Sequence, residues 1–440
     1  MRSAIPAPIA PEENIPTSRF FKSLSEKMVV SLCKRLSILP YFLWKCTCIY
    51  PIKHQIVSQA TRVIFTSTSS PVIPLCLKMW QPCNNGVYIT ENSEKANTLD
   101  LKKCRDYLIE GWNFNRRFAA NVYLGFFPVL GEDDHNDWIK CGSLIKTPAK
   151  LKPDEHYVLV MKALRQNWRL DHHLCSNSFH GPEGIKFLAQ KVAHMHKQLK
   201  CSGKNTGGPE QIRAKLELNL QQFDQALKKC ATGSACYQSI SVSMKGAYDV
   251  CEPYFEQRRK DGYIKRCHGD LKAVNLWLCP KRGLAFPRKS PNMHSWQLIA
   301  LDCVDFNEDF CHIDTLSDIA MLAMDLEMRL TQRLGQQCGK RLVGTFLDTY
   351  LREVKDTSEL ARLLLEYYII EKAIVCAYMS ILYDGLPSLG NKYLAIALAH
   401  TKKLEAKLKL VNQVRAKEGK SVVTAVKPLK EARSSIYILV

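Results

Sequence analysis

The residues of this chain best suited to chemistry lie together in His268-Gly269-Asp270-Leu271-Lys272-Ala273-Val274-Asn275. Phosphoryl transfer needs a carboxylate beside the attacking hydroxyl and a metal-binding group beside the phosphates. An Asp and an Asn five residues apart on one tight loop meet both needs, because the backbone turns between them. Asp270 is then aimed at an acceptor and Asn275 at a metal. Lys272 adds a positive charge where negative charge develops on the transferring group. About thirty residues on, the apolar run Leu298-Ile299-Ala300-Leu301 ends in Asp302. A carboxylate at the end of a buried strand is costly unless it is paired or bound to a metal. Asp302 is therefore a candidate ligand for Mg²⁺, which takes one or two side-chain oxygens together with phosphate oxygens and water. A third group, Asp314-Thr315-Leu316-Ser317-Asp318, opens a long apolar helix. Asp314 suits the N-cap; Asp318 lies too deep for capping and is a candidate to face the His268–Asn275 loop.

The elements that must position these groups divide the chain into four regions. Residues 1–85 are basic, rich in Ser, Pro and Cys, and lack clean periodicity; they are expected to form an extension dispensable for folding. Residues 86–165 hold an amphipathic helix, Leu101–Ala119, and strand-like runs at Val122–Leu130 and Tyr157–Leu164, which suggests a small sheet-containing lobe. Residues 166–415 are mostly helical, with periodic segments at 185–199, 212–231, 316–330, 342–354, 359–382 and 392–414. The strand-and-loop chemistry is concentrated in 267–310. Residues 416–440 form a basic tail. The glycine-containing stretch at 201–210 lacks the spacing of a phosphate-binding loop.

Composition bounds the function without choosing it. Lys and Arg number 62 against 42 Asp and Glu, a net charge of +20 that favours anionic partners. No helix-turn-helix, zinc-finger or RNA-binding signature accompanies that charge. The 18 cysteines form no CxxC pair and sit largely in apolar runs, which fits buried reduced thiols in a cytoplasmic protein. The first residues lack the apolar core of a signal peptide, and no apolar run reaches the ~18 residues of a membrane span. The 28–50 segment, interrupted by Lys34, Arg35, Pro40 and Lys45, reads first as a packed helix or a poorly folded extension, with contact to an acidic or membrane surface as the alternative.

The loop at 268–275 resembles the catalytic loop of aminoglycoside and choline kinase-like phosphotransferases, and its Asp-Leu-Lys echoes protein kinases. The stretch from Ile299 to Glu327 is similar to an uncharacterised bacterial branch of the aminoglycoside phosphotransferase-like enzymes, some of whose members carry a fused P-loop ATPase domain. The likeness runs from about 99 to 410. It implies an α+β, protein-kinase-like two-lobed fold with a small sheet-containing N-lobe and a larger helical C-lobe. It implies ATP and Mg²⁺, and a phosphoryl transfer to a hydroxyl of a small-molecule acceptor. By the same resemblance Asp270 is the catalytic base, and Asn275 and Asp302 hold the metal. Glu110 pairs with a nucleotide-binding lysine, Asp318 buttresses the loop, and His268 holds it in shape.

The chain departs from the family where ATP is clasped. Lys95 stands in the expected order for the nucleotide-binding lysine but on a polar stretch without a glycine-rich loop before it. Lys162 stands on a strand-like run but after the helix. Three functional classes follow: an active ATP- and Mg²⁺-dependent kinase, a kinase-fold pseudoenzyme that binds or scaffolds, and a binder of nucleic acid or an acidic surface, which only the +20 charge favours.

Overall fold

The computed structural model describes residues 44–54, 58–67, 73–80, 101–133, 138–141, 144–162, 164–175, 181–203, 206–230, 234–280, 296–304 and 308–417. The chain divides into two compact units: one comprises Met1–Trp112 and Asn121–Ala163, the other Asn113–Ala120 and Leu164–Val440. The organisation is α+β, with a small sheet unit and a larger helical unit.

The first unit is built on a six-stranded antiparallel sheet. Its strands are β1 (Trp44–His54), β2 (Ser58–Ser67), β3 (Ile73–Trp80), β4 (Tyr123–Asp133), β5 (Trp138–Cys141) and β6 (His156–Lys162), in the order β1-β2-β3-β6-β4-β5. β6 lies between β3 and β4, pairing Leu75 with Lys162 on one side and Phe127 with Val158 on the other. A strand bonded on both sides needs near-continuous apolar character, which Tyr157–Met161 supplies; all five residues are buried. Helix α1 (Leu101–Ala119) contributes Leu108 and Trp112 to this core, with the Trp112 ring 5.8 Å from Phe126.

The placement of β1–β3 corrects one sequence expectation. The strands Trp44–His54, Ser58–Ser67 and Ile73–Trp80, all within residues 1–85, provide three of the six strands of the sheet. Their β-branched and aromatic runs, such as Val63-Ile64-Phe65, carry β propensity without strict alternation. Sequence periodicity alone therefore gave no sign of the pairing.

The second unit is helical. Its helices are α2 (Leu170–Cys175), α3 (Pro182–Lys197), α4 (Pro209–Lys229), α5 (Ser234–Lys260), α6 (Glu308–Cys311), α7 (Thr315–Leu334), α8 (Gln336–Val354), α9 (Glu359–Leu382) and α10 (Pro387–Lys417). α5 is not among the helices that periodicity marks. It carries Pro253 in its interior, a residue that ordinarily breaks a helix. Helix α7 is the core element: every residue from Thr315 to Glu327 is buried, as expected for a helix apolar nearly all round. Its three buried acids, Asp318, Asp325 and Glu327, must each find a partner. Two short ribbons complete the unit, β7 (Ile264–Arg266) with β10 (His312–Asp314), and β8 (Leu276–Pro280) with β9 (Trp296–Ala300). Among the described residues no helix is long and apolar enough to cross a membrane.

Candidate active site

The loop 267–275 joins the two ribbons: β7 leads into it and β8 leads out. Both partner strands return from the 296–314 segment, so the loop and the Asp302 segment run side by side. Cys267 N–H donates to Cys311 O at 2.7 Å, Val304 N–H to His268 O at 2.9 Å, and Leu301 N–H to Asn275 O at 3.0 Å. The last turn of α1 supports the same segment. Phe118 packs on Leu199, Cys267 and Ile313, the Arg266 guanidinium stacks 4.6 Å from the centre of the Phe114 ring, and Asn115 Oδ1 accepts Cys303 N–H at 3.2 Å.

Within the loop the side chains are tightly prescribed. Asp270 Oδ1 pairs with Lys272 Nζ at 2.8 Å, and Asp270 Oδ2 accepts from Asn275 Nδ2 at 3.0 Å. Asn275 Nδ2 also donates to Asp270 O at 2.9 Å. The amide nitrogen thus faces Asp270, and the amide oxygen is the atom Asn275 has for a cation. Burial works against the charged form of Lys272, but Asp270 beside it prevails and holds the amine well above its ordinary pKa. His268 is fully buried. Its Nδ1 accepts Asp270 N–H at 3.3 Å and its Nε2 lies 2.9 Å from Leu301 O. An acceptor at Nδ1 and a carbonyl at Nε2 select the tautomer with hydrogen on Nε2. Gly269 has φ +83°, and a Cβ there would lie 2.7 Å from Phe310 O and 2.8 Å from Val304 Cγ2. Only glycine fits.

Asp318, with no exposed surface, sits beneath the loop. Its Oδ2 accepts His268 N–H and its Oδ1 accepts Gly269 N–H, each at 3.0 Å. His196 Nε2 lies 3.2 Å from Asp318 Oδ2, while Tyr350 hydroxyl bonds His196 Nδ1 at 2.6 Å. Burial alone would raise the carboxyl pKa; the His196 bond and the nearby His268 outweigh it and hold Asp318 below its usual value. Asp314 caps α7, accepting Leu316 N–H at 2.8 Å. It also takes both ends of the Arg258 guanidinium, at 2.5 and 2.9 Å, while the third Arg258 contact reaches Asp356 at 2.5 Å.

Asp302 follows directly on the Leu301–Asn275 bond and has φ +62°, a left-handed conformation that Asp tolerates better than most residues. Asn275 and Asp302 offer hard oxygen donors suited to Mg²⁺. Among the described residues no group of three or more His, Cys, Asp and Glu is arranged to hold a metal by itself. Glu110 lies half-buried on α1 in the sheet unit, and Lys162 half-buried on β6. Lys95 lies outside the described residues. Buried Cys251, Cys267, Cys279, Cys303, Cys311 and Cys376 are free thiols.

Sequence reasoning missed His196, Tyr350, Asn115 and Asp325. Each is a polar residue on an otherwise apolar helix face, as with His196 in Val192-Ala193-His194-Met195-His196. That pattern signals a buried polar group without revealing its partner.

No protein-family model matches the sequence. An uncharacterised protein of Mycobacterium bovis and one of Mycobacterium tuberculosis are each 29% identical to this chain over 165 residues, 36% of this chain and 28% of theirs. The match therefore spans little more than a quarter of those relatives. Among solved structures the chain is similar to an ethanolamine kinase of Plasmodium vivax (10% identity, TM-score 0.39, 80% of this chain and 81% of that one). It is also similar to a putative aminoglycoside phosphotransferase of Ralstonia eutropha (10%, 0.38, 87% and 98%) and to a glucosamine kinase (11%, 0.37, 84% and 98%). Likenesses this distant assign neither substrate nor activity.

Proposed function

We propose that the chain is an ATP- and Mg²⁺-dependent phosphotransferase acting on a hydroxyl of a small-molecule acceptor. The observation that carries this reading is the Asp270 carboxylate, held between Lys272 and Asn275 on a loop whose amides are gripped by a buried acid. In the mechanism, Asp270 accepts the proton of the acceptor hydroxyl as its oxygen attacks the terminal phosphorus of ATP, and the bond from that phosphorus to the bridging oxygen breaks to release ADP. Lys272, kept charged by Asp270, moves its attraction to the transferring group as negative charge develops. His268, through Leu301 O and Asp270 N–H, keeps the Asp302 segment and the base in register. Asn275 Oδ1 and the Asp302 carboxylate are the oxygens offered to Mg²⁺, which when bound neutralises phosphate charge. Glu110 and a lysine, Lys95 in the expected order, are assigned to the nucleotide.

The first test is thermal shift with ATP and Mg²⁺, singly and together, followed by ADP release. A nucleotide that binds only the folded state raises the melting temperature by mass action. Mg²⁺-dependent stabilisation with turnover that Asp270→Ala abolishes is the expected result. Absence of any nucleotide response in the parent rejects the enzyme in favour of a kinase-fold scaffold.

A further inference from the structure

Helix α7 grips the loop a second time, at a residue the proposed mechanism does not use. Asp325 lies seven residues after Asp318, two helical turns and about 10.5 Å along the same face. Its side chain is 1% exposed. Asp325 Oδ2 accepts the N–H of Ala273 at 2.7 Å, and Oδ1 accepts from Arg329 Nε at 2.9 Å. Ala273 is fully buried and opens the single 3₁₀ turn Ala273–Asn275 that delivers Asn275. The neighbouring amides have carbonyl partners within the loop, Lys272 N–H on Asp270 O and Asn275 N–H on Lys272 O, both at 2.9 Å. The amide of Ala273 takes the Asp325 carboxylate.

Asp171 pairs with Arg169 through two bonds of 2.7 and 2.8 Å, and the Arg169 backbone bridges Trp277, two residues beyond Asn275. The bridge at Trp277 ties Arg169, held by Asp171, to the strand that leaves the loop. Asp318 holds the entrance, at His268 and Gly269; Asp325 holds the exit.

We infer that Asp325 is the positioning residue for Asn275, as Asp318 is for Asp270, so that two carboxylates on one helix fix the separation of the two groups. The roles of Asp270 and Asn275 as base and metal ligand rest on the function proposed above; the division of the loop into two separately anchored halves does not.

The test has two arms. In the first, Mg²⁺-dependent ATP hydrolysis is followed in Asp325→Ala, Asp325→Asn and Glu327→Gln. Asp325→Ala removes the acceptor of Ala273 N–H, and its half-saturating Mg²⁺ rises on the order of tenfold. Asp325→Asn keeps an acceptor oxygen and recovers most of that loss. Glu327→Gln, two residues away and paired to His400 instead, lowers stability without moving the Mg²⁺ requirement. An Asn variant as impaired as the Ala variant, or a Glu327→Gln variant with the same Mg²⁺ shift, overturns the inference. The second arm needs neither turnover nor a variant: native-state amide exchange across 268–275 in the parent chain under rising denaturant. Separate anchors predict that Ala273 opens with a different free energy and denaturant slope from His268 and Gly269. Opening of all three amides in one step overturns the two-anchor inference, even if ATP turnover is normal. Separate opening in a chain without turnover sustains the two anchors and rejects only the function.

Discussion

Removing the carboxylate of Asp318 is the most direct way to ask how the loop is held. Asp318→Ala strips acceptors from the amides of His268 and Gly269, both 3.0 Å away, in a place with no exposure to water. A buried donor left without its acceptor costs about 1–3 kcal/mol, so two cost about 2–6 kcal/mol. His196 retains its Tyr350 partner and adds little. Asp318→Asn keeps one acceptor oxygen but turns an amide NH₂ toward the remaining donors, so roughly half the loss is expected. Urea denaturation at pH 7 should therefore rank the parent above Asn and Asn above Ala. The pH dependence has a fixed sign. The Asp318 pKa is depressed in the folded chain, so its contribution is present above the unfolded value of about 3.9 and is lost as pH falls through the folded value. The gap between parent and Asn variant should stay flat from about pH 5 to 8 and close only in acid. An Ala variant within about 1 kcal/mol of the parent, below the cost of even these two orphaned amides, would refute the two-amide grip.

Three further outcomes follow from the geometry. His400 has Glu366 at 2.5 Å on Nδ1 and Glu327 at 2.8 Å on Nε2; two carboxylate partners require an imidazolium. Burial pulls its pKa down but the two acids prevail and raise it. Its contribution is thus complete below about pH 6.5 and lost as pH rises through the raised value. His400→Gln should cost about 3 kcal/mol near pH 6 and progressively less in alkali; a pH-independent difference in melting temperature would contradict this. Gly269→Ala should destabilise by about 2 kcal/mol or more, because the left-handed φ and the contacts at Phe310 O and Val304 act together; a neutral effect in thermal melts would refute the close approach. Deleting residues 1–85 removes β1–β3 and uncovers one edge of β6, so a lower melting temperature or an insoluble product is expected; an unchanged melting curve would contradict the sheet order.

The candidate loop was legible because its residue types are rare and their spacing is short. His268, Asp270 and Asn275 fall within one loop, so a local pattern describes their local geometry, and the lone acids Asp302 and Asp318 stand out against apolar surroundings. Helix α7 was equally legible from its continuous apolar run. β6 was legible from its five successive apolar or aromatic residues.

What tertiary structure decided lies where partners are far apart in the chain. Asp318 meets the loop across about fifty positions, His196 meets Asp318 across 122, and Asn115 reaches Cys303 across 188. A single buried acid or histidine announces a cost that some partner must offset, but its identity depends on which helices pack together. The same limit hid β1–β3: strand pairing is set by hydrogen bonds to a neighbour, and β3 finds its neighbour in β6 about eighty residues later. Residue type and spacing told which groups could do chemistry; long-range packing decided that α7 would hold their loop at two points.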